Sequence, residues 1–175
     1  MKKKLFIVLV ALLTTATINA QNDYKASIGG TIGTLYGASF KGFFLPVNNL
    51  ALQADLGVNL FAAAGNGGSF SAFTFELNPN ILYQDLIKSW SEGSLSWYAG
   101  GGVSLGLMEG LGRYSSNYVW GKFGVNAAGG VEWSFSGIPL SLAFDFRPGY
   151  GLRFDSDYNW SFFDFKIVAA ARYRF

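Results

Sequence analysis

The last seventeen residues of the chain, 159–175, alternate between two kinds of side chain. One parity is apolar or aromatic, with the members Phe163, Phe165, Ile167, Ala169, Ala171, Tyr173 and Phe175. The other parity carries the charged residues Asp164, Lys166, Arg172 and Arg174. A period of two indicates a β-strand with two different faces. A strand that has lipid on one side and a polar lumen on the other would show this pattern.

Seven further segments show the same alternation, over residues 24–33, 36–45, 50–62, 70–84, 94–108, 118–135 and 138–154. The segment 50–62 is the clearest, because Leu52 and Leu56 oppose Gln53 and Asp55 there. The sequence therefore predicts eight strands. An even number of strands is typical of bacterial membrane barrels.

The connections between these strands differ in length and character. Residues 46–49 and the pair Ser136-Gly137 predict tight turns. Residues 85–93 form the least regular connection, with room for a helical turn. Pro79 lies on the apolar parity of its strand, and we expect it at a bulge or a frayed end because proline cannot donate to the ladder.

The composition favours a β-protein that is unusually apolar. Charged residues make up 14% of the 175 residues, against a usual share of about 25%. Beyond the N-terminal segment no apolar run approaches the ~18 residues of a spanning helix, which leaves a buried β-sandwich or a membrane β-barrel. Small residues on the polar parity, such as Gly57, Gly100 and Gly130, suit the crowded interior of a narrow barrel. The predicted fold is an all-β, eight-stranded, antiparallel, up-and-down transmembrane β-barrel.

The charged residues of the strands all lie on the less apolar of the two faces of their strand. The predicted lumenal network consists of Lys41, Asp55, Glu76, Lys122, Glu132, Asp145, Arg147, Asp164, Lys166 and Arg172. An eight-stranded barrel is only wide enough for side chains to fill it, so we expect these charges to pair. Two pairs, Glu132 with Lys122 and Asp145 with Arg147, could act as gates, although structural ion pairing is the favoured interpretation.

Residues 1–20 have the pattern of a cleaved signal peptide. Three lysines precede an apolar stretch and a more polar end at Ala20, so residues 21–175 are expected to form the barrel. The alternative is an uncleaved anchor, which the short apolar core disfavours. The thirteen basic residues include Lys2, Lys3 and Lys4, and without them ten remain against eleven acidic residues. This balance does not favour nucleic-acid binding.

Several kinds of chemistry lack their usual residues. The sequence contains no His and no Cys, which removes the common general base, thiol catalysis and the commonest metal ligands. We expect no cofactor and no metal site, and we expect that the protein is not an enzyme.

The N-terminal segment, the eight amphipathic strands and the terminal Tyr173-Arg174-Phe175 resemble the small outer-membrane β-barrel proteins of Gram-negative bacteria, the OmpX/OmpA-type barrels. The Gly-rich strands are most similar to the Bacteroidota versions. The resemblance implies that Ala169, Ala171, Tyr173 and Phe175 form an assembly signal for the barrel assembly machinery. It also implies His-dependent chemistry for most enzymes among small barrels.

The predicted function is a non-enzymatic, monomeric outer-membrane barrel with a plugged lumen. Its role would be structural or interactive, with outer-membrane lipid and lipopolysaccharide as surroundings and with outer loops at residues 64–69, 109–117 and 155–158. A narrow pore for ions or small solutes is the alternative. A soluble periplasmic β-sandwich or lipid carrier is the second alternative.

Overall fold

The computed structural model describes residues 24–59, 72–110, 119–154 and 159–175. These residues form eight strands: β1 (Ala26–Gly33), β2 (Leu35–Gly42), β3 (Leu50–Asn59), β4 (Ala72–Ser89), β5 (Gly93–Gly110), β6 (Val119–Phe135), β7 (Leu140–Phe154) and β8 (Asn159–Arg174). Each strand pairs antiparallel with its neighbour in sequence, and β8 pairs with β1, so the sheet is closed. The predicted eight-stranded barrel is confirmed, and a two-sheet sandwich is excluded.

The barrel closes with a stagger of ten residues. The register leads from Gly30 around the barrel to Ser161 through Ala38, Leu56, Leu77, Leu105, Phe123 and Leu152. Gly30 also pairs directly with Ala171, ten residues further along β8 than Ser161. Strand tilt, stagger and diameter are linked in a closed barrel, and eight strands leave an interior that side chains can fill.

The two ends of the barrel are built differently. The turn end holds Tyr24, Phe175 and the connections 43–49, 90–92 and 136–139. The loop end holds Thr34, between β1 and β2, and the ends of the strands that border residues 60–71, 111–118 and 155–158. The predicted outer loops are outside the described residues except for Glu109 and Gly110, which belong to β5.

The connection between β4 and β5 is shorter than the sequence predicted. β4 continues to Ser89, and Trp90–Glu92 alone link it to β5, with the Trp90 N–H donating to the Gly93 carbonyl at 2.8 Å. The alternation is lost in the sequence because the register shifts by one residue between Leu86 and Lys88. A β-bulge re-aims side chains without ending a strand, so all three connections at the turn end are short.

Pro79 lies neither at a bulge nor at a frayed end, so the prediction for it was wrong. It stands in the middle of β4, opposite Ala54 of β3. Toward β5 the paired positions Leu77–Leu105 and Asn80–Gly102 keep one register on either side of it. Because proline removes a donor on one side only, the ladder is interrupted locally and then resumes.

Side chains alternate across the barrel wall as predicted. Outward positions such as Leu56, Phe75 and Phe144 are exposed, whereas inward positions such as Asp55 and Glu76 are buried. The barrel interior is therefore the polar region of the described chain, and the outside is its apolar surface. None of the described residues forms a helix that is long and apolar enough to cross a membrane.

Gly57 faces inward, at a point where the backbones of β2 and β3 are close together. A Cβ atom at Gly57 would stand 2.2 Å from the Tyr36 carbonyl oxygen. A side chain there must push the two strands apart. We therefore expect Gly57→Ala to lower the free energy of unfolding by about 1–3 kcal/mol, as measured by urea unfolding of the refolded protein in detergent.

The control for this prediction is Gly129→Ala. Gly129 is also a mid-strand glycine, but its Cβ would meet nothing closer than the Tyr98 carbonyl oxygen at 3.8 Å. Equal unfolding midpoints for the two variants would contradict the close approach of β2 and β3.

Candidate functional site: a lumenal ion-pair network

The structure places all ten residues of the predicted network in the barrel interior. Nine of them are buried, and the side chain of Asp164 is 16% exposed. They come from six of the eight strands and divide into three groups along the barrel. The turn-side cluster is Lys41, Glu132 and Arg172, the central cluster is Asp55, Asp145 and Arg147, and the loop-side cluster is Glu76, Lys122, Asp164 and Lys166.

Glu132 organises the turn-side cluster from near the turn end of β6. Its Oε2 lies 3.3 Å from Lys41 Nζ and 3.2 Å from Arg172 Nη1. The Arg172 Nε also donates to Ser39 Oγ at 2.8 Å, and Lys41 donates to Gln84 Oε1. Two cations thus share one carboxylate, which leaves this cluster with one excess positive charge.

Tyr24 covers the turn-side cluster from outside the strands. Its hydroxyl donates to Glu132 Oε1 at 2.5 Å, and its ring meets the Phe43 ring edge-on at 5.4 Å between centroids. Burial raises the pKa of the Tyr24 phenol well above its usual value, and the Glu132 carboxylate raises it further. Tyr24 therefore stays neutral and remains a donor to Glu132.

Arg147 of β7 organises the central cluster and is 1% exposed. Its Nε and Nη2 donate to the two oxygens of Asp145 at 2.8 and 3.0 Å, a bidentate arrangement that is among the stronger ion pairs. Its Nη1 lies 2.6 Å from Asp55 Oδ2 across the lumen. Tyr98 also donates to Asp145 Oδ2 at 3.0 Å. Two carboxylates share one guanidinium, so this cluster carries one excess negative charge.

The loop-side cluster is a ring of two lysines and two carboxylates. Lys166 Nζ lies 2.8 Å from Asp164 Oδ2 and 3.3 Å from Glu76 Oε2. Lys122 pairs with the same two carboxylates, at 2.7 Å from Asp164 Oδ2. This cluster is neutral by itself.

The three clusters together balance. The ten residues supply five positive and five negative charges, and the excesses of the turn-side and central clusters cancel. Each charge has at least one partner of opposite sign within 4.0 Å. Unpaired charges in such an interior would cost several kcal/mol each, so pairing explains how a polar lumen is stable.

The pairing differs in part from the sequence expectation. Asp145 pairs with Arg147 as considered, but Glu132 pairs with Lys41 and Arg172, whereas Lys122 pairs with Glu76 and Asp164. Glu132 and Lys122 are ten residues apart on β6, so they lie at opposite ends of the lumen.

Two further basic residues of the inward parity lie at the turn end. Lys25 precedes β1 and is exposed. Arg174 is half-buried and donates through Nη2 to the carbonyls of Phe135 and Ile138, so it holds the turn between β6 and β7.

Uncharged partners complete the network, and the sequence argument did not single them out. They are Tyr24, Ser39, Gln53, Asn59, Asn78, Asn80, Gln84, Tyr98, Ser104 and Asn126. Ser104 links two parts of this set, because it accepts from Lys166 Nζ at 3.2 Å and donates to Asn78 Oδ1 at 2.7 Å. Strand parity would have identified all of these partners except Tyr24, which precedes β1.

Three residues of the predicted assembly signal, Ala169, Ala171 and Tyr173, lie on the outward face of β8, and Phe175 directly follows the strand. Ala169, Ala171 and Tyr173 pair with Ile32, Gly30 and Ile28 of β1. The Phe175 N–H donates to the Ala26 carbonyl at 2.8 Å. These residues thus form part of the seam that closes the barrel, whereas their role in assembly stays a prediction. No group of three or more residues that could hold a metal ion occurs in the described part of the chain.

A closed eight-stranded barrel with an apolar outside and an internally paired polar lumen has the architecture of the small outer-membrane β-barrels. Two solved structures share this fold. Neisserial surface protein A is 13% identical with a TM-score of 0.57, over 86% of this chain and 93% of that chain. A major outer membrane protein from Thermus thermophilus is 15% identical with a TM-score of 0.50, over 88% of this chain and 100% of that chain.

These likenesses confirm the predicted resemblance at the level of the fold. No family model matches the sequence, and no curated protein matches it. The assignment to the OmpX/OmpA type stays a prediction, as do the signal peptide at residues 1–20 and its cleavage.

Removing the carboxylate of Glu132, which the two cations of the turn-side cluster share, should lower the free energy of unfolding. Glu132→Gln keeps the shape of the side chain but leaves Lys41 and Arg172 buried without the carboxylate with which both form their ion pairs. We expect a loss of about 3–5 kcal/mol in the free energy of unfolding, measured by urea titration in detergent.

The double variant Lys41→Met with Glu132→Gln is the control for charge. It removes one cation together with the carboxylate, so its loss should be smaller than the sum of the two single losses. Strict additivity would show that Lys41 and Glu132 do not interact.

Proposed function

We propose that the protein is a non-enzymatic integral membrane barrel of a Gram-negative outer membrane, exported by a cleaved signal peptide and monomeric. The observation that carries the proposal is the network inside an apolar wall, whose ten charges sum to zero and are each held in an ion pair. The interior is occupied by side chains that bind one another, so the lumen is plugged. The contribution of the protein would then be structural, or would come from its loop end.

The outer wall supports a location in lipid. Its exposed residues include Ile81, Phe144, Phe163 and Tyr173, each more than half exposed. A soluble monomer rarely exposes a continuous apolar surface of this kind. Aromatic residues concentrate at the turn end, where Trp90 and Trp133 lie 5.3 Å apart and Tyr83 and Trp97 lie 5.9 Å apart. Such belts are typical of membrane–water boundaries.

The absence of His and Cys in the sequence supports a non-enzymatic role. The buried carboxylates and lysines of the lumen are held in ion pairs, so they are poorly placed to exchange protons with a substrate. Partners are then expected at the surface: membrane lipid and lipopolysaccharide around the wall, and the barrel assembly machinery during biogenesis through Ala169, Ala171, Tyr173 and Phe175.

A narrow pore is the second candidate, and one observation favours it. A pocket of about 420 Å³ opens at the turn end, lined by Tyr24, Ser94, Arg174 and Phe175 among others. The lumen is thus accessible from that end as far as Tyr24, and the turn-side cluster stands directly behind it.

Conductance distinguishes the plug from the pore. We expect the purified protein in a planar lipid bilayer to give no stable single-channel steps, because three layers of paired side chains fill the lumen. Reproducible steps from the folded protein would overturn the plugged lumen. A sample unfolded by heating is the control, and any steps that come from the folded barrel should be absent from it.

Arginine substitutions at two exposed apolar positions can test whether the outer wall faces the hydrocarbon of a membrane. Leu56 and Ile138 are both exposed apolar residues, but Leu56 lies in the middle of β3 and Ile138 lies in a connection at the turn end. Leu56→Arg should cost about 2–4 kcal/mol in lipid vesicles, and Ile138→Arg about 0–1 kcal/mol. Equal costs would contradict a wall that faces hydrocarbon.

A further inference from the structure

The wall of the barrel is shorter along its axis at β1 and β2 than at β7 and β8. β1 and β2 have eight residues each, whereas β7 has fifteen and β8 has sixteen. Both sides begin at the same level at the turn end, because Ala26 and Phe175 exchange backbone hydrogen bonds at 3.0 and 2.8 Å. At the loop end the pairing of β1 with β8 stops at Gly33 and Val168. β8 then continues beyond the top of β1, from Ile167 to Asn159.

The apolar outer face of β8 continues past this point as well. Phe165 and Phe163 lie above Ile167 on the outward parity, and Phe163 is 70% exposed. Tyr150 and Leu152 of β7 pair with Phe163 and Ser161, and both are exposed to the outside. The apolar belt therefore rises above the β1–β2 turn on the neighbouring strands.

The height of the belt on β8 matches a membrane. Ten residues separate Tyr173 from Phe163, which is about 24 Å along the barrel axis at ~3.4 Å per residue and a tilt near 45°. The apolar band of outer-membrane barrels is about 25 Å tall. The eight residues of β1 reach only about 17 Å on the same basis. If the hydrocarbon layer covers β8 up to Phe163, then it also covers the top of β1.

The turn between β1 and β2 is built for such surroundings. Thr34 makes the connection alone, and it is 8% exposed. Its backbone N–H donates to the Ile167 carbonyl at 3.0 Å, and its hydroxyl accepts from the Ile167 N–H at 3.1 Å. The same hydroxyl lies 3.3 Å from the Ile167 carbonyl oxygen. A turn in water needs no such partners, whereas a turn in hydrocarbon must have its polar groups satisfied within the protein.

We propose that the β1–β2 hairpin ends inside the hydrocarbon layer, so that acyl chains of the leaflet at the loop end cover the Thr34 turn. Four residue steps separate Ile167 from Phe163, which places the turn roughly 10 Å below the boundary set by Phe163. The low wall is thus a surface for lipid chains rather than for water or headgroups. The inference depends on the membrane location proposed above.

Spin labels on single cysteines can test the depth, because the sequence has no Cys of its own. The informative positions are Tyr36→Cys, two residues from the turn, and Phe163→Cys. Both side chains point outward and are exposed, so the labels should not disturb the fold. Ile81→Cys marks the middle of the belt, and Ile138→Cys marks the water at the turn end. Collision rates with oxygen and with a water-soluble nickel complex are measured in phospholipid vesicles.

We expect the Tyr36 label to have an oxygen-to-nickel ratio well above that of the Phe163 label and close to that of the Ile81 label. A Tyr36 label as shallow as the Phe163 label would overturn the submerged turn while leaving the membrane barrel intact. An Ile81 label as accessible to nickel as the Ile138 label would instead overturn the membrane location itself. The two failures are therefore distinguishable in one experiment.

Discussion

Closure of β8 on β1 is the constraint on which the other features of this structure depend. The seam begins where Phe175 and Ala26 exchange backbone hydrogen bonds, and it ends where Thr34 caps Ile167. An open sheet of this kind would have unpaired backbone groups along two edges, each costing several kcal/mol in lipid. Closure removes both edges, and it also separates an inside from an outside. The alternation of the strands then becomes a difference between two environments.

Because the sheet is closed and narrow, its interior has little contact with water, and the polar face of every strand must be satisfied by other strands. The ten lumenal charges meet this requirement by pairing across the barrel, as Arg147 does with Asp55 and as Lys122 does with Glu76. The network takes the place that an apolar core has in a soluble domain. A core of ion pairs fixes the positions of its side chains, because an ion pair depends more strongly on distance and orientation than a contact between methyl groups does.

The sequence predicts the facing of residues well, because facing depends only on parity. Lys41 and Glu132 were placed in the lumen on this basis. Their partnership could not be predicted, because it depends on the ten-residue stagger that accumulates around the barrel. Parity also fails where the backbone is irregular. The bulge at Leu86 and Lys88 hid the end of β4, and Pro79 interrupts a ladder that nevertheless keeps its register. Tyr24 lies before β1, outside any alternation.

The barrel is asymmetric in two ways. Its inner and outer faces differ in polarity, and its strands differ in length from one side to the other. The ten charges of the network are neutral in sum, but their clusters follow the barrel axis, with the neutral loop-side ring above a positive and a negative layer. Two members of the loop-side ring, Asp164 and Lys166, lie on β8 beyond Val168, where the pairing with β1 ends, and Asp164 is the most exposed of the ten charges. The turn-side and central clusters, which carry the opposite excess charges, are instead surrounded by all eight strands. The two clusters whose excess charges cancel are thus the ones that all eight strands enclose. The cluster that is neutral by itself lies where β1 and β2 are too short to enclose it.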